Sequence, residues 1–321
     1  MREAPECQSP GVRGRFDLKR RGYSLVMGLG RERNRQCPCE SGHKSKDCCL
    51  VGGRYFKPEA RLVPRPPQTG LMNAECYLAC HQDCSATLSR EHFISEGVLR
   101  ELSGGRKQVW VGGLHWLDDG KPGLVPSSSL AAKVLCDRHN IALSPLDAEA
   151  LRLFRTLRAI IDGTTGQSGH FLFSGHDIER WMLKSMVGLG LSGLARIPSG
   201  ERARAVTPPV QYLDALRFPG SWPRELPGLS VVSRQAAGMQ SQAPVRIELA
   251  ESPTSSSITG VRITLWNLVL LLGVTPTTLE KRVVYRPPKL VFERAGSIVE
   301  VEFSWGDYSP GRADRVVWFD R

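Results

Sequence analysis

The placement of nine cysteines restricts this chain more than any other feature. Four lie within residues 37–49, three within 76–84 and one at 136, while Cys7 stands apart. The first residues, "MREAPECQSPGVRGRFDLKRRGYS", lack the apolar segment and small-residue cleavage site of an export signal, so a cytoplasmic location is expected. In that reducing compartment clustered thiols are expected as metal ligands rather than disulfides. The longest apolar run, "WNLVLLLGV" (266–274), is about half of the ~18–20 residues a membrane span requires, so no membrane partner is expected.

Charge adds a second restriction. The formal net charge is +11, and residues 1–66 hold 15 Lys and Arg against 7 Asp and Glu, leaving a nearly balanced remainder. A basic N-terminal segment suits a polyanionic partner, nucleic acid or a ribosome surface.

The pattern along 321 residues predicts an α+β chain in several units. Residues 1–35, rich in Gly and Arg, read as a flexible basic arm. A small zinc module follows over 36–52. Four prolines in "FKPEARLVPRPPQTG" then mark a linker over 53–70. Residues 71–200 carry the second group of Cys and His with a helical extension. "PLDAEALRLFRTLRAIID" predicts a helix starting near Pro145 and Asp147, and "GHDIERWMLKSMVGLGL" a second over 175–191. Residues 205–321 alternate as short strands, among them Val299, Val301 and Phe303 against Glu300 and Glu302, and predict a β-rich C-terminal module. His170 and His176 are expected in an exposed loop, Trp110 and Trp116 in packing roles, and the basic stretch 194–206 as a solvated connector.

In "CPCESGHKSKDCC", Cys37, Cys39, Cys48 and Cys49 form C-x-C-x8-C-C. Adjacent cysteines pair poorly with each other but can turn toward one ion, and four thiolates match the tetrahedral preference of Zn2+. Gly42 can supply the positive-φ turn that brings the halves together. Through Cys37, Pro38, Cys39, Ser41, Gly42, Lys44, Lys46, Cys48 and Cys49 the stretch resembles the SEC-C motif, the short zinc module at the end of the SecA translocation ATPase. The resemblance implies a docking device for a ribosome or protein partner, not an enzyme.

Two further segments, "CYLACHQDCSATLSREHFISEGVLREL" (76–102) and "KVLCDRHNIALSPLD" (133–147), together resemble an HNH-type, treble-clef nuclease. The resemblance implies a second zinc on Cys136 and His139 with two of Cys76, Cys80 and Cys84, of which Cys76 and Cys84 are favoured. It also implies that Glu91 and Asn140 hold a catalytic Mg2+ or Mn2+ and that His92 is the general base. Chemistry agrees: oxygen ligands suit a hard cation that neutralises the leaving oxygen, and a histidine accepts a proton from water near neutrality. Neighbours on a strand face opposite ways, so Glu91 and His92 converge only where the hairpin is bulged or bent. The sequence departs from the family where a middle Asn or His is usual: Ala131 or a nearby serine stands there. Two functions follow as expectations, a metal-dependent endonuclease recruited by the zinc module, and, from the missing middle residue, a non-catalytic zinc adaptor that docks on nucleic acid, a ribosome or a protein.

Overall fold

The computed structural model describes residues 30–117, 121–164, 168–194, 209–223, 228–232, 245–251, 258–266, 268–274, 283–294, 297–306 and 316–319. Most of the expected basic arm (1–29) and of the basic connector (195–206) lies outside them.

Along the chain, a short helix α1 (Gly30–Asn34) precedes the four-cysteine segment, which closes with a two-residue hairpin, β1 (Leu50–Val51) and β2 (Arg54–Tyr55). Strand β3 (Leu88–His92), helix α2 (Glu96–Leu102), strands β4 (Gln108–Gly112), β5 (Gly123–Pro126) and β6 (Ala131–Cys136), and helix α3 (Asp137–Ile161) follow. Next come β7 (Ser168–Ser174), α4 (Gly175–Ser192) and α5 (Val210–Arg217). Strands β8 (Gly228–Val232), β9 (Val245–Glu251), β10 (Ile258–Leu265), β11 (Leu268–Gly273), β12 (Val283–Tyr285), β13 (Lys289–Arg294), β14 (Ser297–Ser304) and β15 (Val316–Phe319) complete a mixed α+β chain in which strands dominate. Among the described residues no helix is long and apolar enough to cross a membrane.

The strands after 205 do not form sheets of their own. A seven-stranded sheet in the order β12-β8-β11-β10-β9-β4-β5 takes its last two strands from the 71–200 region. A four-stranded sheet, β15-β13-β14-β7, takes β7 from it. The apolar core accordingly runs from Leu62 to Trp305 without a break between the expected modules. The chain over 53–70 is also more than a spacer. Leu62 is buried, the Ala60 amide donates to both carboxylate oxygens of Asp177, and the Ala60 carbonyl accepts from Arg180. Prolines here keep an extended segment from folding on itself, so it lies as a strap across α4.

Helix α3 begins eight residues before the predicted start. Pro145 resembles a first-turn proline, but it sits inside the helix, where it cannot donate to the carbonyl of Ile141. The Ser144 hydroxyl donates to that carbonyl instead, at 2.8 Å. The true cap is Cys136, whose sulfur accepts from the His139 amide.

Helix α4 matches its predicted span but is buried all round, because the seven-stranded sheet, α3, α5 and β6 all pack on it. Its charged residues are therefore paired internally: Arg180 with Asp177 and Glu59, Glu179 with Arg286, and Lys184 with Glu91 and Asp147. The expectation of a loop around His170 and His176 is corrected. His170 lies on β7 against Glu302, and His176 is buried on the first turn of α4 against Glu179, because Ser174 caps a helix where the glycines had suggested a turn.

Candidate functional site

The first cysteine group closes on itself as the sequence leads one to expect. Gly42 takes φ +79°, and the Cys37 amide donates to the His43 carbonyl at 2.8 Å. Sulfur–sulfur separations of 3.5 Å (Cys39–Cys48) and 3.6 Å (Cys48–Cys49) approach the edge of a tetrahedral thiolate site. Cys37, Cys39 and Cys49 are buried and Cys48 is partly exposed; His43 stays outside the group, in solvent. Burial would raise the Cys39 thiol, but hydrogen bonds from Ser41 and its cysteine neighbours bring it down to about 7, while burial pushes Cys49 far up. Four thiols so crowded cannot all ionise without a cation between them, so the donor set fits a soft divalent metal and is consistent with zinc.

This module is seated on the body rather than held away from it. Leu172 of β7 packs against the cysteines, and its amide donates to the Pro38 carbonyl at 2.9 Å. Arg152 of α3 reaches Glu40 at 3.1 Å. Just beyond the module, Lys57 pairs with Glu149 of α3 at 2.5 Å.

The second group joins residues 60 positions apart. Cys76, Cys84, Cys136 and His139 place one ligand atom each within 4.8 Å of one another, and all four are buried. His139 Nδ1 lies 3.4, 3.7 and 3.3 Å from the sulfurs of Cys76, Cys84 and Cys136. Those separations suit a tetrahedral site with one imidazole and three thiolates, again consistent with zinc. Backbone amides of Ser85 and His139 donate to the Cys136 sulfur. The Cys76 hydrogen bond and His139 pull the Cys84 thiol down to about 4, and the same Cys84 contact pushes Cys76 far up. Cys80 stands outside the group, on the short 3-10 turn Ala79–His81. Nearby, Asp83 and Arg138 form an ion pair at 2.9 Å that ties the loop carrying Cys84 to α3.

With β6 capped into α3 by Cys136, the segments around 91 and 139 are brought side by side. Strands β3 and β6 are antiparallel; Ser89 pairs with Leu135 but Glu91 with Ala132, so β6 carries one extra residue opposite Arg90. The bulge precedes the Glu91-His92 pair, whose own register against Ala132 and Ala131 is regular, so the two side chains leave opposite faces of β3. Asn140, on the first turn of α3, donates from Nδ2 to the Ser89 hydroxyl at 2.7 Å. Its Oδ1 remains free among the described residues. His92 is half-buried, makes no hydrogen bond or ion pair among the described residues, and lies directly across from Ala131. Burial lowers its pKa below 6.5, helped by Arg90 and Lys184 and opposed by Glu96 and Asp147, so the neutral ring is favoured.

Glu91 is placed differently from His92. It is 5% exposed and faces inward, where Lys184 Nζ lies 2.5 Å from its Oε1, out of line for a directed hydrogen bond, so the contact is charge against charge. Lys184 also meets both oxygens of Asp147, at 2.8 and 2.7 Å, and Asp147 accepts from the Ser95 hydroxyl. Burial raises the Glu91 pKa against the pull of Lys184. Burial alone would lower Lys184, but Asp147 and then Glu91 hold it above its usual value, so the ammonium form is favoured. Glu91 is thus a buried carboxylate paired internally with Lys184. Sequence reasoning missed Lys184 and Asp147. The one available signal was a lysine in the middle of the otherwise apolar "WMLKSMVGLGL".

No family model, curated protein or solved structure matches the chain.

Proposed function

We propose that the chain is a metal-dependent HNH-like endonuclease that hydrolyses phosphodiester bonds in nucleic acid, built on a treble-clef zinc site and carrying a SEC-C-like zinc module. The observation that carries this reading is the bond between Asn140 on the first turn of α3 and Ser89 on the strand that ends in Glu91-His92, beside the Cys76/Cys84/Cys136/His139 group. In it His92 takes the proton from the attacking water, its neutral form favoured by burial. The Asn140 Oδ1 is an oxygen ligand suited to Mg2+ or Mn2+, which neutralises charge on the scissile phosphate when bound. Glu91, with Lys184 and Asp147 behind it, anchors the end of β3 and thereby the direction of the imidazole. The first zinc module, with Lys44 and Lys46 exposed, offers a basic surface for a ribosome or protein partner.

The test is cleavage of plasmid DNA and of structured RNA with added Mg2+ or Mn2+. Cleavage that depends on the added ion and is lost in Asn140→Ala supports the reading. Intact substrates after prolonged incubation of the zinc-loaded protein reject it.

One observation favours the second reading, a non-catalytic zinc adaptor. The carboxylate expected to share a catalytic ion with Asn140 is neutralised internally by Lys184. An adaptor binds nucleic acid, a ribosome or a protein partner and leaves the substrates whole.

A further inference from the structure

The insertion between β3 and β6 leaves a large aromatic residue in water. Trp110 on β4 is 52% exposed and Leu124, directly opposite on β5, is 47% exposed. The neighbouring Val109, Val111 and Val125 are buried, so the alternation is regular and the outward Trp is not a slip of register. Trp110 therefore packs across the hairpin rather than in the core. Strand β5 is the edge of the seven-stranded sheet, where an outward apolar pair promotes unwanted association unless it has a ligand.

The surroundings say what kind of ligand. Arg106 and Lys107 lead into β4, Lys121 leads toward β5, and Arg90 and Lys133 stand on β3 and on the bulge of β6; all five are exposed. Arg106, Lys107, Lys121 and Lys133 have no ion pair among the described residues, whereas Arg100, Arg138 and Arg158 each hold a carboxylate. An aromatic face among unpaired cations complements a chain that carries both π faces and negative charges. Single-stranded nucleic acid has both available at once; a duplex hides its base faces, and an apolar peptide has no use for the cations.

The strip is continuous with the candidate catalytic histidine. The Ser127 amide donates to the Lys107 carbonyl at 2.9 Å, closing the hairpin end. Arg90 Nη2 donates to the Ser128 carbonyl at 2.8 Å, and Ala131, three residues on, pairs with His92. From Trp110 to the end of β4 at Gln108 is about 7 Å of strand.

We propose that the outer face of the β4–β5 hairpin is a platform for single-stranded nucleic acid, on which a base stacks against Trp110 while Arg106, Lys107 and Arg90 follow the phosphates toward His92. This rests on the reading that the substrate is nucleic acid, and it adds a preference for unpaired strands. The experiment uses the full chain with His92→Ala, so that a bound strand is not cut, and measures fluorescence anisotropy with labelled 20-nucleotide DNA and RNA, single-stranded and duplex. Single strands are expected to bind more tightly than duplex. Trp110→Ala is expected to weaken them about tenfold or more, and Trp110→Phe to restore most of the loss. The side chain is exposed, so the melting temperature of Trp110→Ala serves as the control for folding. Unchanged single-strand affinity in a folded Trp110→Ala protein overturns the platform, and leaves the hairpin face to a protein partner, while the nuclease reading stands if cleavage persists. Trp110-dependent binding together with no cleavage by the protein that retains His92, with Mg2+ or Mn2+ added, overturns the nuclease and leaves the platform. If the protein binds no nucleic acid, both fail.

Discussion

The two cysteine groups offer nearly the same chemistry and hold very different amounts of structure. Cys37, Cys39, Cys48 and Cys49 close a loop of thirteen residues, with one ligand partly exposed. Cys76, Cys84, Cys136 and His139 are all buried and tie the entry to β3, the end of β6 and the start of α3 to one point. A clip on a short segment stabilises that segment. One across a long loop removes more freedom from the unfolded chain and fixes elements that have no other reason to meet. The account therefore assigns recruitment to the first group and the geometry of the candidate site to the second.

Breaking the second group should have the largest effect. In Cys136→Ser the side chain still caps α3, because serine is a good N-cap, so the change isolates the metal ligand. The expected outcome is loss of one metal ion per chain by native mass spectrometry, a collapsed melting transition and no cleavage.

Next is Lys184. Replacement by Met leaves Glu91 and Asp147 facing each other without the cation that serves both, at a cost of about 3–5 kcal/mol. Chemical denaturation should show that loss. Lys184→Met combined with Glu91→Gln should recover part of it, and a double mutant no more stable than Lys184→Met contradicts the pairing.

Cys48→Ser in the first group should be milder. One metal ion is lost, but the strap contacts of Ala60 and Leu62 lie outside the module, so the melting temperature falls slightly and cleavage of free nucleic acid persists. A fall as large as that of Cys136→Ser abolishes the distinction between the two groups.

The smallest effect is in the pH dependence. A histidine whose pKa is lowered by burial is neutral, and competent as a base, above that lowered value. The acid limb of the cleavage profile should thus have its midpoint below 6.5, with activity retained as pH falls through 6.5 and lost only further down. A midpoint above 6.5 means another group titrates.

What could be read in advance divides along similar lines. The first group is legible because its four ligands and its turn glycine are local, and spacing alone brings them together. The second is legible as a set of ligand types, but spacing alone does not separate Cys76 and Cys84 from Cys80, which the fold leaves outside the group on the turn at 79–81. Asn140 was placed by its position after His139, and its bond to Ser89 follows once α3 starts at Asp137. That start was hidden by Pro145, which reads as a beginning unless one knows that Ser144 takes over the orphaned carbonyl. Lys184 and Asp147 were hidden for a different reason. They reach Glu91 from helices that approach only through tertiary packing, which no local period records. The same holds for the pairing of β4 with β9 and of β7 with β14, strands more than a hundred residues later.

The central claim is that His92, at the end of the strand that pairs with β6, is the base of a working nuclease. Its most direct test is the cleavage rate of wild-type and His92→Ala protein, each verified to carry two zinc ions, on one substrate with saturating Mg2+ or Mn2+. The account predicts a fall of about a hundredfold or more with zinc content and melting temperature unchanged. Equal rates for the two proteins contradict it.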